Sequence, residues 1–150
     1  MTRAGLLAII LSGAVATAQA APQCYRANEI EAEQAMRYQA KLMVLSDSCR
    51  SDSYSLFLHR NADVITSYQR QLIAYFRRID GRRPEDAFDR FLTRLANQFA
   101  LGAGQEPLDA LCGKSADFLA QALNFGKEEF RRFIAEQAAQ ERKSYRACAD

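Results

Sequence analysis

Apolar residues recur along most of this chain at three- and four-residue steps, the spacing of one face of an α-helix. The longest such run predicts a helix over residues 53–79. Its buried seam contains Leu58, Asn61, Ile65, Tyr68, Leu72, Tyr75 and Ile79. Because threes and fours alternate as in a heptad, we expect this helix to pack along most of its length.

The same pattern predicts a first helix over residues 28–45 and a third that begins near Pro84. Asn28 is the expected N-cap of the first helix, and Glu31 follows three residues later as in a capping box. Proline suits the first turn of the third helix. Residues 101–107 carry two glycines and a proline, so they are expected to form a loop.

Two more helices are predicted in the last third of the chain. One carries apolar residues over residues 108–125 and the other over residues 130–145. The segment Asn124-Phe125-Gly126 lies between them and forms either a turn or only a kink. The predicted fold is all-α, an up-down bundle of four to five helices.

The amino terminus has the three-part layout of a secretory signal peptide. Residues 4–18 are almost entirely apolar, and Ala18 and Ala20 place small side chains where signal peptidase requires them. The apolar run is shorter than the roughly 20 residues that span a bilayer, so a permanent anchor is disfavoured. We expect a cleaved signal peptide over residues 1–20, a single domain over residues 21–150 and a periplasmic location.

Four cysteines follow the signal peptide: Cys24, Cys49, Cys112 and Cys148. An even number of cysteines in an exported chain indicates two disulfides. A continuous first helix separates Cys24 from Cys49 by roughly 25–30 Å, whereas the Cα atoms of a disulfide lie within about 7 Å. The Cys24–Cys49 pairing is therefore excluded, together with its complement.

An up-down bundle ranks the two remaining pairings. The first helix ends at Cys49 and the fourth begins near Cys112 at the same end of the bundle, so we expect these two to be joined. Cys24–Cys148 remains as the second bridge, and it requires the chain to return to the opposite end. A kink near Gly126 allows that return, whereas a tight hairpin of helices four and five does not.

The overall charge gives no drive toward nucleic acid or an anionic membrane. The chain has 20 Lys and Arg against 18 Asp and Glu, a net charge of +2, which becomes +1 when Arg3 leaves with the signal peptide. One cluster stands out, since Arg77, Arg78, Arg82 and Arg83 lie within seven residues. Cations at a helix C-terminus also complement its dipole. These arginines are nevertheless a possible site for an anion or an acidic partner.

Residues that carry chemistry are sparse. The single histidine, His59, lacks a second ligand and is expected to be a surface residue paired with Asp63. Residues 46–48 and 51–53 offer serine and aspartate oxygens without the glycine and glutamate of an EF-hand, so capping explains them better. The sequence has no nucleophile motif, phosphate-binding loop or Cys-x-x-Cys. It predicts a non-enzymatic protein without metal or cofactor.

Several segments resemble those of an uncharacterised family of small exported alphaproteobacterial helical proteins with paired cysteines. The similar features are Cys24, Glu31-Ala32-Glu33, Lys41-Leu42-Met43-Val44-Leu45, Cys49, Tyr75-Phe76-Arg77-Arg78 and Leu95-Ala96-Asn97. The resemblance covers most of the mature chain. It implies a helical periplasmic protein and brings no known activity with it.

We therefore expect a protein-binding or structural module, whose partner is another periplasmic protein rather than nucleic acid, without stable membrane insertion. An inhibitor or immunity-type protein for a periplasmic enzyme or toxin is one alternative. A carrier of an apolar ligand inside the bundle is another, although the aromatic residues on the helical faces are expected to fill the core. The sequence predicts no oligomeric state.

Overall fold

A computed structural model of the protein describes residues 23–149, which form five α-helices. These are α1 (Ala27–Ser48), α2 (Ser53–Ile79), α3 (Pro84–Ala103), α4 (Leu108–Asn124) and α5 (Lys127–Glu141), followed by a 3-10 turn at Arg142–Ser144. The predicted all-α class is confirmed. The predicted signal peptide, residues 1–20, lies outside the described residues.

The start of α1 differs from the prediction. Arg26 rather than Asn28 is the N-cap residue, and its backbone N–H donates to the Glu29 carboxylate at 2.7 Å. Glu29 therefore makes the capping-box bond that the sequence assigned to Glu31. A salt bridge from Arg78 holds Glu29 in this position, and that distant contact is invisible in the local pattern.

The predicted loop over residues 101–107 is also shorter than expected. α3 continues to Ala103, and only residues 104–107 connect it to α4. The helix runs through Gly102 because the backbone N–H of Gly104 closes the last turn by donating to the Ala100 carbonyl at 2.9 Å. The glycine-rich composition thus marks the end of a helix.

α1 and α2 form the central pair of the bundle. α3 packs on both of them, and α4 and α5 pack on the same pair with little contact to α3. α4 and α5 do not lie along one another, since Phe125 and Gly126 between them have extended backbone angles. The connection is therefore a break between two helices that follow each other toward the same end of the bundle, and not a hairpin.

This path brings the cysteines together as predicted. The Cα atoms are 5.5 Å apart in Cys49–Cys112 and 4.8 Å apart in Cys24–Cys148. Beside the second bridge, Tyr25 and Ala147 form an isolated parallel β-bridge. The two disulfides close opposite ends of the bundle, and the two ends of the described segment meet at one of them.

Aromatic rings fill the core where the α4–α5 break faces α1 and α2. The Tyr38 ring centroid lies 4.9–5.8 Å from those of Phe57, Phe118, Phe125, Phe130 and Phe133. Phe57 and Phe130 are fully buried, and their rings meet edge to face at 4.9 Å. Within residues 23–149, no helix has both the length and the apolarity to cross a bilayer.

Candidate functional site: the cationic end of the bundle

Cationic side chains gather at the Cys24–Cys148 end, where α2 ends, α3 begins and the C-terminal segment returns to Tyr25. The fold adds residues from both ends of the described segment to the predicted arginine cluster. We call this surface the cationic end and define it by Arg26, Arg77, Arg78, Arg82, Arg83, Arg142, Lys143 and Arg146. Carboxylates of the described chain lie at the same end, among them Glu29, Glu33, Asp80, Glu85, Asp86 and Glu141.

Arg78 has a structural role within this surface. Its Nη2 donates to Glu29 Oε2 at 2.5 Å and to the Cys24 carbonyl at 2.8 Å, while its Nε donates to Glu29 Oε1 at 3.2 Å. The guanidinium also lies 5.4 Å from the centroid of the Tyr75 ring. Arg78 thereby ties α2 to the start of α1 and to the disulfide, which leaves it little capacity for an external anion.

Arg77 and Arg83 form surface ion pairs across the α2–α3 turn. Arg77 Nη2 lies 3.4 Å from Glu85 Oε1, and Arg83 Nε lies 3.1 Å from Asp86 Oδ2. All four of these side chains are at least 47% exposed, so each pair contributes at most about 1 kcal/mol. An external carboxylate can therefore replace either pair at little cost.

Arg82 follows a turn in which Gly81 has a φ of +69°. Its side chain is exposed, and no carboxylate of residues 23–149 forms an ion pair with it. The four predicted arginines therefore divide into one structural residue, two surface pairs and one unpaired cation.

The C-terminal segment supplies three cations that the sequence did not place beside Arg82. Arg142, Lys143 and Arg146 are exposed, and within the described chain no carboxylate forms an ion pair with them. The backbone N–H of Tyr25 donates to the Arg146 carbonyl at 2.8 Å, which fixes this segment beside Tyr25, just before α1. The predicted Cys24–Cys148 bridge was the sequence signal for this convergence.

A buried carboxylate anchors the same segment to α1. Glu33, 3% exposed, accepts hydrogen bonds from Arg37 Nε at 2.9 Å and Nη2 at 2.7 Å, and from Tyr145 Oη at 3.1 Å. The Tyr145 oxygen in turn accepts from Gln34 Nε2 at 2.9 Å. Burial, reinforced by the negative charge of Glu33, raises the pKa of Tyr145 to about 12. The hydroxyl therefore stays protonated and donates to the carboxylate at neutral pH.

The single histidine lies away from the cationic end. His59 is exposed as expected, but Asp63 accepts a hydrogen bond from Lys127 Nζ at 2.8 Å, so the expected His59–Asp63 pair is wrong. The cause is the α4–α5 break, which brings the first residue of α5 beside α2. That hydrogen bond also lowers the pKa of Asp63.

The serine segments around Cys49 serve the backbone, as the sequence indicated. Ser46 Oγ accepts from the Tyr54 N–H at 3.1 Å, and Ser51 Oγ accepts from the Ser53 N–H at 3.2 Å. Both bonds satisfy donors at the start of α2. In the part of the chain that the structure describes, no group of three or more His, Cys, Asp or Glu side chains is placed to hold a metal ion.

Comparisons of this chain with protein-family models, curated proteins and solved structures find no match. The resemblance to small exported alphaproteobacterial proteins therefore stays a prediction. The functional argument rests on the geometry of the cationic end.

Proposed function

We propose that this protein is an exported, periplasmic, non-enzymatic module that binds an acidic protein partner through its cationic end. One observation carries the proposal: Arg82, Arg142, Lys143 and Arg146 converge on one end, exposed and without a carboxylate partner among residues 23–149. A partner surface with clustered Asp and Glu supplies the missing carboxylates. Complementary charge of this kind raises the association rate and selects the partner.

The scaffold beneath these cations supports a binding role. The Cys24–Cys148 bridge joins the segments that carry them, and the partly buried Arg78–Glu29 pair joins α2 to the same point. Side chains on a rigid backbone lose less conformational freedom when a partner binds. The cationic end is thus preorganised in its backbone while its charged groups stay accessible.

The state of the cysteines supports a location in an oxidising compartment. Both cysteine pairs are bridged, and the described chain holds no free cysteine. Disulfides persist in the periplasm and are rare in the reducing cytosol. Together with the sequence of residues 1–20, they favour export and action in the periplasm.

The inhibitor or immunity-type alternative is a special case of the same interface, in which the acidic partner is an enzyme or toxin. The alternative of a carrier that holds an apolar ligand inside the bundle receives less support. The interior between α1, α2 and the α4–α5 break is filled by the aromatic cluster around Tyr38, so a ligand inside the bundle has to displace core rings.

Variants that remove positive charges from the cationic end test the proposal. The test variant replaces four of the exposed cations of this end that form no ion pair among residues 23–149 by alanine: Arg82→Ala, Arg142→Ala, Lys143→Ala and Arg146→Ala. The matched control removes the same charge elsewhere, from four exposed arginines without an ion-pair partner in the described chain: Arg70→Ala, Arg90→Ala, Arg94→Ala and Arg132→Ala.

Crosslinking and affinity capture from the native periplasm then compare the three proteins. We expect the wild type and the control to capture the same partner and the test variant to lose it. The purified complex should be stoichiometric and should weaken steeply with salt, as exposed charge pairs do. A partner retained by the test variant, or one whose affinity ignores salt, overturns the proposal.

A further inference from the structure

A groove runs along α1 between α3 and the α4–α5 break. It exists because α3 and α4–α5 both pack on α1 while hardly touching each other. Its volume is about 280 Å³. This is close to the lower limit of small-molecule pockets, roughly 300 Å³.

Aromatic rings form the floor and both walls of this groove. Phe118 of α4 and Phe133 of α5 rest against Tyr38 of α1, with ring centroids 4.9 and 5.6 Å from it. Phe99 of α3 closes the other side. It is half-buried, yet it stays outside the core cluster and stacks on no other ring of the described chain. Phe99 therefore lines the groove with an aromatic side chain that pairs with no other ring of residues 23–149.

The rim of the groove is cationic. Lys41 is exposed, with its Nζ held 4.6 Å from the centroid of the Phe118 ring. Arg37 lines the groove as well, and its Nε and Nη2 are directed to Glu33, so its charge is partly balanced. Among the described residues that line the groove there is no carboxylate. Lys41 is therefore the group whose charge is available to a ligand.

We infer that this groove binds a small aromatic carboxylate. A flat apolar body fits between Phe99 and the Phe118–Phe133 wall, and the carboxylate pairs with Lys41 at the rim. A neutral ligand of the same shape leaves Lys41 unused, and a cationic one is repelled by Lys41 and Arg37. The inference does not depend on the proposed function, because the groove and the cationic end use different residues.

Three naphthalene probes of equal shape and different charge test the ligand class. Oxidised full-length protein is titrated by calorimetry with naphthoate, naphthylmethanol and naphthylmethylammonium. We expect one site that binds naphthoate about tenfold more tightly than the alcohol, the factor typical of one charge-assisted contact, and the ammonium most weakly. Equal affinities, or no naphthoate binding, overturn the inference.

Two variants test the location. Lys41→Met is expected to weaken naphthoate about tenfold and to leave the alcohol unchanged, whereas Phe99→Ala weakens both. The control for the first is Lys114→Met, an exposed lysine paired only with Glu106 at the surface. Lys41 is exposed and Phe99 lies outside the core, so both variants should keep the wild-type thermal unfolding midpoint.

The same variants also show whether naphthoate binds at the cationic end instead of in the groove. If Arg82→Ala weakens naphthoate and Lys41→Met does not, the probe binds the cationic end and the groove inference is wrong. If Phe99→Ala unfolds, the Lys41→Met comparison still decides the question. An affinity that Lys41→Met and Lys114→Met reduce equally reflects overall charge and also overturns the inference.

Discussion

The side-chain amide of Asn61 donates a hydrogen bond to the backbone carbonyl of Phe125 at 3.2 Å. The same nitrogen donates to the Phe57 carbonyl at 3.1 Å, and Asn61 is fully buried. Asn61 also has non-helical backbone angles, with φ −115° and ψ 16°, so α2 bends there. One side chain therefore joins the kink of α2 to the break between α4 and α5.

Replacing this amide tests its importance for stability. We expect Asn61→Leu to lower the free energy of unfolding by about 2 kcal/mol, because two carbonyls lose a buried donor. Urea denaturation of the oxidised protein measures the change. Asn124→Leu is the control, since Asn124 is exposed and bonds only to the Ala120 carbonyl. Its effect should stay within about 0.5 kcal/mol, and equal losses in the two variants contradict the assigned role.

Where a buried stripe is unbroken, the sequence predicts the fold closely. The predicted bounds of 53–79 are those of α2, because its apolar positions recur at helical spacing from end to end. The disulfide pairing was predictable because the length of α1 converts into a distance that Cys24 and Cys49 cannot bridge. Asn61 was placed on the buried seam by the same spacing, but nothing in that spacing identified its partner.

Polar side-chain contacts between residues far apart in sequence were not predicted, unlike the two disulfides. Glu29, rather than Glu31, makes the capping-box bond of α1, and Arg78, 49 positions away, holds it in place. Tyr145 reaches Glu33 across 112 positions, and no periodic pattern encodes that bond. The arginine cluster is evident in the sequence. The pairing of Arg77 and Arg83 with acidic residues of α3, however, depends on the geometry of the turn.

The two disulfides should contribute unequally to stability. Removing Cys24–Cys148 as a double alanine variant is expected to cost about 5 kcal/mol, and removing Cys49–Cys112 about 4 kcal/mol, in the chain-entropy model. The difference arises because the bridged cysteines are 124 and 63 positions apart. Urea denaturation of both variants measures it. A larger loss for Cys49–Cys112 contradicts the expectation.

Arg78 and Arg82 should differ in stability although both belong to the cationic end. Arg78→Ala leaves the carboxylate of Glu29, which is 4% exposed, without its ion-pair partner. Because the Arg78 side chain is itself 27% exposed, we expect a loss of about 2–3 kcal/mol, below the roughly 3–5 kcal/mol of a fully buried pair. Arg82→Ala should change stability by less than about 0.5 kcal/mol. Thermal and urea unfolding check both, and a stable Arg78→Ala variant excludes the structural role.

Alkaline pH should destabilise the bundle through its tyrosines. Burial raises the pKa of Tyr25, Tyr38, Tyr68, Tyr75 and Tyr145, the last to about 12. Tyrosine in the unfolded chain titrates near about 10, so the stabilisation is complete below that pH and is lost as the pH rises toward about 12.

Ultraviolet titration of tyrosinate in native and urea-unfolded protein measures this difference. We expect the native midpoint to lie above the unfolded one, and the free energy of unfolding to fall between about pH 10 and about pH 12. The Tyr145→Phe variant should show a shallower fall over the same range. Coincident native and unfolded titrations would falsify the expectation.

Two glycine substitutions should have opposite signs. Gly81 has a φ of +69°, a conformation that strains any residue with a Cβ, so Gly81→Ala is expected to cost about 1 kcal/mol. Gly113 lies within α4, and a Cβ placed there meets no atom within 4 Å. Gly113→Ala should therefore stabilise the protein by about 0.5–1 kcal/mol, since alanine loses less backbone entropy in a helix. Urea unfolding of the two variants gives the comparison. A stabilising Gly81→Ala contradicts the left-handed turn before Arg82, and a destabilising Gly113→Ala contradicts an α4 that is regular beside Cys112.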